Sequence, residues 1–176
     1  GVLQRHEAFR TSFDVVDGEP VQRIAEPLPL NIDFQDLRDL SPPQREAQAR
    51  RTRDKLVAEA FDLSRPGLYR ITLLQMDAQQ HVLFWVIHHV IGDHWSNGIL
   101  VREIGHVYSQ ILLGRSPTLP LLPLTYADFA AWQRDTTQDA ALAPQMTYWS
   151  KRLQGIQPLA LPYDIPTREL PSGRGS

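Results

Sequence analysis

The feature that most constrains the fold is an unbroken run of six apolar residues, Val82–Ile87, which leads directly into His88 and His89. A continuous apolar run of this length is typical of a strand buried on both faces. Functional side chains are common where a rigid strand gives way to a loop, and Asp93 follows His89 by four residues. The sequence therefore predicts a buried strand, HVLFWVI, with a candidate site just beyond its end.

The two adjacent histidines are expected to point to opposite sides, because side chains alternate along a strand. His88 is expected to satisfy a hydrogen bond near the end of the strand. His89, with Asp93 close to it in the sequence, is the better candidate for chemistry. An imidazole titrates near neutral pH and therefore suits a general acid or base.

Two other kinds of site fit the sequence less well. A metal site needs convergent ligands, and four residues have suitable side chains: His88, His89, Asp93 and His94. The adjacent histidines diverge, however, and neither an H-x-H nor an H-E-x-x-H spacing occurs. A serine hydrolase needs a nucleophile elbow of the G-x-S-x-G type, which is absent. Ser96 is expected to begin a helix and not to act as a nucleophile. We also expect no metal at this site.

Two further strand signals precede this site. Alternating apolar residues and the Asp17-Gly18 pair predict a β-hairpin over FRTSFDVVDGEPVQRI. The stretch LYRITLLQM predicts a strand with Tyr69, Ile71 and Leu73 on one face. A short turn joins this strand to HVLFWVI.

Four helices are predicted. In SPPQREAQARRTRDKLVAEAF, Ser41 is the N-cap, Pro42 fits the first helical position and Gln44 completes a capping box. Apolar residues at helical spacing predict a second helix that Gly114 ends. A third covers YADFAAWQRD and a fourth runs through QMTYWSKRL, whereas the prolines from Pro158 onwards exclude regular helix.

This mixed order predicts an α/β or α+β layered domain, a mixed sheet with helices packed on it. The net charge of −2 gives no basic footprint for nucleic acid or anionic membranes. The longest apolar run is far shorter than the ~20 residues of a membrane-spanning helix. Cysteine is absent, so a reducing compartment is allowed and we expect a cytoplasmic location.

Three stretches follow one another along the chain: RHEAFRTSF, HHVIGDHWS and YADFAAW. They resemble RHExLRTxF, HHxxxDG and YxDYAxW, three motifs of the condensation domains of non-ribosomal peptide synthetases. The stretch FDLSRPGLYRITLL is similar to the segment that usually lies between the first two motifs. The chain departs from the family at His94, where Gly is usual. Because His adopts a positive φ less readily than Gly, we expect this turn to be built differently.

The resemblance implies a chloramphenicol-acetyltransferase-like fold, in which two related lobes surround a tunnel. The family's earliest motif, which precedes RHExLRTxF, is missing, and so is everything after PSGRGS. We therefore expect residues 1–176 to be a partial condensation domain. It would be the N-terminal lobe, trimmed at its start and without the C-terminal lobe.

The reaction that the resemblance implies is amide formation between a donor acyl or peptidyl thioester and the amine of an acceptor aminoacyl thioester. Both substrates are presented on 4′-phosphopantetheine arms, and no cofactor is expected on this chain itself. The expected partners are the upstream and downstream peptidyl carrier proteins, the C-terminal lobe and the neighbouring adenylation domain, with no nucleic acid and no membrane. An epimerization domain, a stand-alone acyltransferase and a catalytically silent carrier-docking relative remain alternatives.

The resemblance also implies roles for the site residues. His89 is the catalytic imidazole, either as general base or as the group that orients the amine and stabilises the intermediate. Asp93 is structural, and we expect it to be buried in an ion pair with Arg5 or, alternatively, Arg10. His88 supports the site by packing. Oxyanion or tunnel-mouth contacts are expected from Gly92, His94, Trp95 and Ser96.

Overall fold

The computed structural model describes residues 1–136, 139–157 and 159, and it contains two compact units, Gly1–Phe129 and a second that begins at Ala130. The described helices are α1 (Val2–Arg5), α2 (Pro42–Ala58), α3 (His94–Leu112), α4 (Tyr126–Thr136) and α5 (Asp139–Leu153), with a 3₁₀ helix at Glu7–Arg10. The described strands are β1 (Thr11–Val16), β2 (Glu19–Ile24), β3 (Asp33–Asp36), β4 (Tyr69–Gln75) and β5 (His81–Ile87). The predicted mixed class of helices and sheet is confirmed.

The predicted hairpin is confirmed as a two-stranded antiparallel sheet of β1 and β2, with Val16 opposite Glu19. Asp17 and Gly18 have φ values of 53° and 84°. A two-residue type I′ turn requires positive φ at both positions, and its twist matches that of the paired strands. Phe9, expected in the first strand, lies instead in the 3₁₀ helix and is buried.

The main sheet of the first unit has the strand order β3-β4-β5. β4 and β5 are antiparallel, and in the turn between them the backbone N–H groups of Met76 and Asp77 donate to the carbonyl of Gln80. β3 runs parallel to β4. The sequence did not reveal β3, because DFQD lacks an apolar alternation. The predicted helix α2 could have indicated β3, because a helix between two strands is the usual connection of a parallel pair.

The helix α2 begins as predicted, with Pro42 as its first residue. The Gln44 side chain accepts a hydrogen bond from the backbone N–H of Ser41 at 3.0 Å, which is half of the predicted capping box. The helix ends at Ala58, before the predicted end at Phe61. Phe61 therefore lies in the connection to β4.

The strand β5 coincides with the predicted HVLFWVI, but its burial differs from the expectation. Among the described residues, two hydrophobic clusters form the core. The first cluster is Leu37, Leu74 and Met76, and the second cluster is Phe9, Leu68, Ile91 and Leu100. Val82 and Phe84 pack against the first cluster, and Trp85 and Ile87 against the second, which explains the unbroken apolar run. The expected complete burial is wrong. β5 lies at an edge of the described sheet, and Leu83 is 50% exposed.

The later helices follow the predicted order. Gly114 follows α3 with a φ of 66°, the left-handed conformation that commonly ends a helix. At the start of α4, Thr125 donates through its N–H and hydroxyl to Oδ2 of Asp128, at 2.8 and 2.9 Å. α5, in the second unit, begins before the predicted QMTYWSKRL. The predicted lack of helix from Pro158 onwards falls on 158 and 160–176, outside the described residues. Across the described ranges, no helix combines the length and apolar character needed to cross a membrane.

Candidate active site

The residues after β5 form a tight turn that presents His89. The backbone N–H of His88 donates to the carbonyl of Leu68 at 2.9 Å, and the N–H of Ile91 donates to the carbonyl of His88 at 3.1 Å. The N–H of Val90 donates to Nδ1 of His88 at 3.1 Å. His88 is half-buried and hydrogen-bonded at the strand end, as predicted, whereas His89 is exposed.

Asp93 closes this turn and caps α3. Its Oδ1 accepts hydrogen bonds from the backbone N–H and the hydroxyl of Ser96, at 2.9 and 2.7 Å. This is the geometry of an N-cap, and Ser96 lies in the first turn of the helix, as predicted. The two Ser96 hydrogen bonds, with a smaller contribution from His89, lower the pKa of Asp93 below its ordinary value.

The predicted buried ion pair of Asp93 is wrong. Asp93 is exposed, and Arg5 and Arg10 form their ion pairs with Glu103 and Glu7 instead. An exposed carboxylate does not need a cation, because water and the free N–H groups at the start of α3 satisfy it.

Replacing Asp93 by Ala is expected to lower the midpoint of thermal unfolding by about 2–4 °C at pH 7, because α3 loses its N-cap. Asp93→Asn keeps a capping oxygen and is expected to stay closer to the wild type. Because folding lowers the pKa of Asp93, the charged cap stabilises the fold above the pKa of the unfolded chain. That stabilisation is lost as the pH falls through the lowered pKa. Thermal unfolding from pH 7 to pH 2 measures both effects, and equal midpoints for the Ala and Asn variants would contradict the cap.

The first motif is attached to α3 through Glu103. Nε of Arg5 donates to Oε1 of Glu103 at 3.2 Å, and Nε2 of His6 lies 2.8 Å from Oε2. The three side chains are only 12–19% exposed. Glu103 was not among the site residues predicted from the sequence. The available signal was an acidic residue within the apolar stripe of α3, between Leu100 and Ile104.

Arg10 attaches the other end of the first motif to the chain that follows β2. It donates to Oε1 of Glu7 at 3.0 Å and also to the carbonyl of Ala25, just after β2. The hydroxyl of Thr11 donates to the carbonyl of Glu7 at 2.9 Å. The two arginines expected to pair with Asp93 instead fix the two ends of the stretch from Arg5 to Arg10: Arg5 binds α3, and Arg10 binds the carbonyl that follows β2.

Replacing Glu103 by Ala is expected to lower the free energy of unfolding by about 3 kcal/mol, the lower end of the cost of breaking a buried ion pair. The reason is that Arg5 and His6 lose their shared acceptor in a largely buried place. Glu46→Ala is the matched control, since it removes an exposed pair with Arg50 and is expected to cost at most about 0.5 kcal/mol. Urea unfolding measures both, and equal costs would show that Glu103 contributes no more than a surface charge.

A cavity of about 380 Å³ opens beside the turn. Residues from all three motifs line it, including His6 and Thr11 from the first, His89 and Asp93 from the second, and Tyr126 from the third. Part of its wall is apolar, because side chains of the second cluster reach it. The fold therefore brings three motifs that are distant in sequence to one cavity.

The four residues expected at an oxyanion or tunnel-mouth position divide into two pairs. Gly92 and Ser96 line the cavity, whereas His94 and Trp95 do not, and Trp95 is 80% exposed. His94 is the first residue of α3 and has no positive φ. The family's usual Gly is therefore not required here for its conformational freedom, and the expectation that this turn is built differently stays a prediction.

Within the ranges that the structure describes, no three His, Cys, Asp or Glu side chains converge as metal ligands. The expectation that no metal is needed stays a prediction.

Comparison with known proteins agrees with the three motifs. The family model "Condensation domain" matches residues 1–174. Chondramide synthase cmdD of Chondromyces crocatus is 40% identical over 174 residues, which are 99% of this chain and 4% of that protein. A linear gramicidin synthase of Brevibacillus parabrevis is 42% identical over 166 residues, which are 94% of this chain and 3% of that protein.

Solved structures agree with the fold. The X-domain from teicoplanin biosynthesis matches with a TM-score of 0.80 and 28% identity, over 98% of this chain and 38% of that one. The epimerization domain from the third module of tyrocidine synthetase B matches with a TM-score of 0.78 and 25% identity, over 94% of this chain and 37% of that one. The chain thus spans less than two fifths of these structures and a few per cent of the curated relatives. The resemblance seen in the motifs is confirmed: the chain belongs to the condensation domain family.

Proposed function

We propose that this chain forms part of a site that joins two carrier-bound substrates through an amide bond in non-ribosomal peptide synthesis. The observation that carries the proposal is His89, an exposed imidazole on a hydrogen-bonded turn, beside a cavity lined by all three family motifs. The likeness to a linear gramicidin synthase supports a peptide-forming role.

In the proposed reaction, the amine of the acceptor attacks the carbonyl carbon of the donor thioester. The new C–N bond gives a tetrahedral oxyanion, and the nitrogen must lose a proton, which a neutral His89 accepts as general base. Collapse of the intermediate breaks the C–S bond, and the donor's thiolate leaves and is protonated. Gly92 lines the same cavity, and within the described residues its backbone N–H donates no hydrogen bond. We propose it as the donor to the oxyanion.

The proposed partners are an upstream and a downstream peptidyl carrier protein, each presenting its substrate on a 4′-phosphopantetheine arm. We also propose that residues 1–176 correspond to the N-terminal lobe of a complete condensation domain, beside a second lobe and an adenylation domain. The coverage of less than two fifths of the matched structures supports a second lobe.

The test supplies donor-loaded and acceptor-loaded carriers to a protein that contains the complete domain and identifies the products by mass spectrometry. An amide that joins both substrates is expected. Inversion of the donor without amide formation would identify an epimerization domain instead. Transfer to a free amine alone would identify a stand-alone acyltransferase, and carrier binding without any product would identify a docking relative.

A further inference from the structure

Phe61 contacts His88 from outside the cavity. The centroids of the two rings are 5.8 Å apart and their planes are nearly perpendicular, at 85°. The guanidinium of Arg70 also lies over the Phe61 ring, with its central carbon 3.7 Å from the ring centroid. Arg70, Phe61 and His88 therefore form a continuous series of side-chain contacts that ends at the turn bearing His89.

Arg70 fixes the chain that leads into Phe61. Its Nη1 donates to the carbonyls of Leu56 and Glu59 at 3.2 and 2.8 Å, and its Nη2 donates to the carbonyl of Ala60 at 2.7 Å. Arg70 itself lies on β4, which pairs with β5. The Phe61 ring is thus tied to the same pair of strands that leads into the turn.

The turn needs His88 in one tautomer and one ring orientation. The N–H of Val90 donates to Nδ1, so Nδ1 carries no proton and the neutral ring is protonated at Nε2. A ring that tipped or flipped would lose this hydrogen bond. It is one of the hydrogen bonds that hold the turn around His89.

We propose that Phe61, held by Arg70, is a positioning residue for His89 that acts through His88. The Phe61 ring fixes the His88 ring, and the hydrogen bond from Val90 to His88 fixes the backbone that directs His89 into the cavity. This inference rests on the proposed function of His89. Phe61 does not line the cavity, so its loss should affect the geometry of reaction rather than substrate binding. Without the Phe61 ring, we expect His89 to shift from its position in the cavity. A shift of about 1 Å in a catalytic group can lower the rate about 10²-fold.

The test uses the protein that contains the complete condensation domain, supplied with both loaded carriers. Phe61→Leu is expected to lower kcat by about 10- to 100-fold and to leave KM for the carriers little changed. Phe61→Tyr keeps the ring and is expected to retain most of kcat. Phe84→Leu is the matched control, because it makes the same substitution against the first cluster, away from the turn, and it is expected to keep the wild-type kcat.

A second readout does not depend on activity. The ¹⁵N chemical shifts of the His88 ring are expected to report the Nε2-protonated tautomer in the wild type and averaged tautomers in Phe61→Leu. If the wild type forms no amide, the proposed function is wrong. The His88 shifts would still show whether Phe61 fixes the His88 ring. If Phe61→Leu does not fold, Arg70→Lys replaces it, since Lys lacks the planar fork that donates to three carbonyls. Wild-type kcat with unchanged His88 shifts, or equal losses in Phe61→Leu and Phe84→Leu, would overturn the proposal.

Discussion

A His89→Ala variant of the protein that contains the complete domain is expected to form the amide about 10²–10⁴ times more slowly than the wild type. The fold should persist, because His89 is exposed and the turn is held by hydrogen bonds of its neighbours His88, Val90 and Ile91. Turnover with both loaded carriers measures the loss, and circular dichroism checks the fold.

His81→Ala is the matched control for this variant. It makes the same substitution at the other end of β5, where the side chain is also exposed, and should leave turnover unchanged. His89→Gln separates the two roles considered for His89, because Gln forms hydrogen bonds but does not accept a proton near neutral pH. If His89 acts as a general base, His89→Gln should be as slow as His89→Ala. If His89 mainly orients the amine, His89→Gln should recover part of the wild-type turnover. Near-wild-type product formation by a folded His89→Ala variant would remove His89 from the reaction.

Residues 1–176 by themselves are expected to give no condensation above the uncatalysed rate, which is the largest effect that we predict. Holding two reactants in register contributes on the order of 7–11 kcal/mol to such a reaction. In the proposed two-lobed architecture the second lobe supplies the other wall of the tunnel, and without it His89 is open to water. The measurement compares this chain with a protein extended through the second lobe. Comparable turnover by the two would refute the half-domain interpretation.

The same isolated chain is expected to self-associate. Several large apolar side chains on α3 are more than half exposed, among them Val101, Tyr108 and Leu112. Exposed large apolar side chains promote association in water when they lie close together, and these three recur at a spacing of seven and four residues along one helix. Analytical ultracentrifugation over a range of concentrations checks this, and a monomer at high concentration would contradict only this part of the interpretation.

The elements that could be predicted from the sequence are those whose causes are local. Asp17 and Gly18 adopt the positive φ values that make a tight hairpin, and Gln44 reaches back only three residues to its cap. His88 is half-buried and His89 is exposed, as the sequence predicted, although both lie in the turn just beyond β5 and not in the strand itself. The motifs, which are also local patterns, were sufficient to identify the family.

Only the tertiary structure decided which side chains meet. Asp93 was expected to need a buried cation, but the start of α3 satisfies its carboxylate within three residues. Arg5 pairs instead with Glu103, 98 residues away in the chain. An ion pair depends on which groups the fold brings within a few ångströms, and its strength depends on how far water is excluded there. Neither the separation in space nor the exclusion of water is a property of a local stretch of sequence. For the same reason the sequence predicted the strand β5 but not its place at a sheet edge.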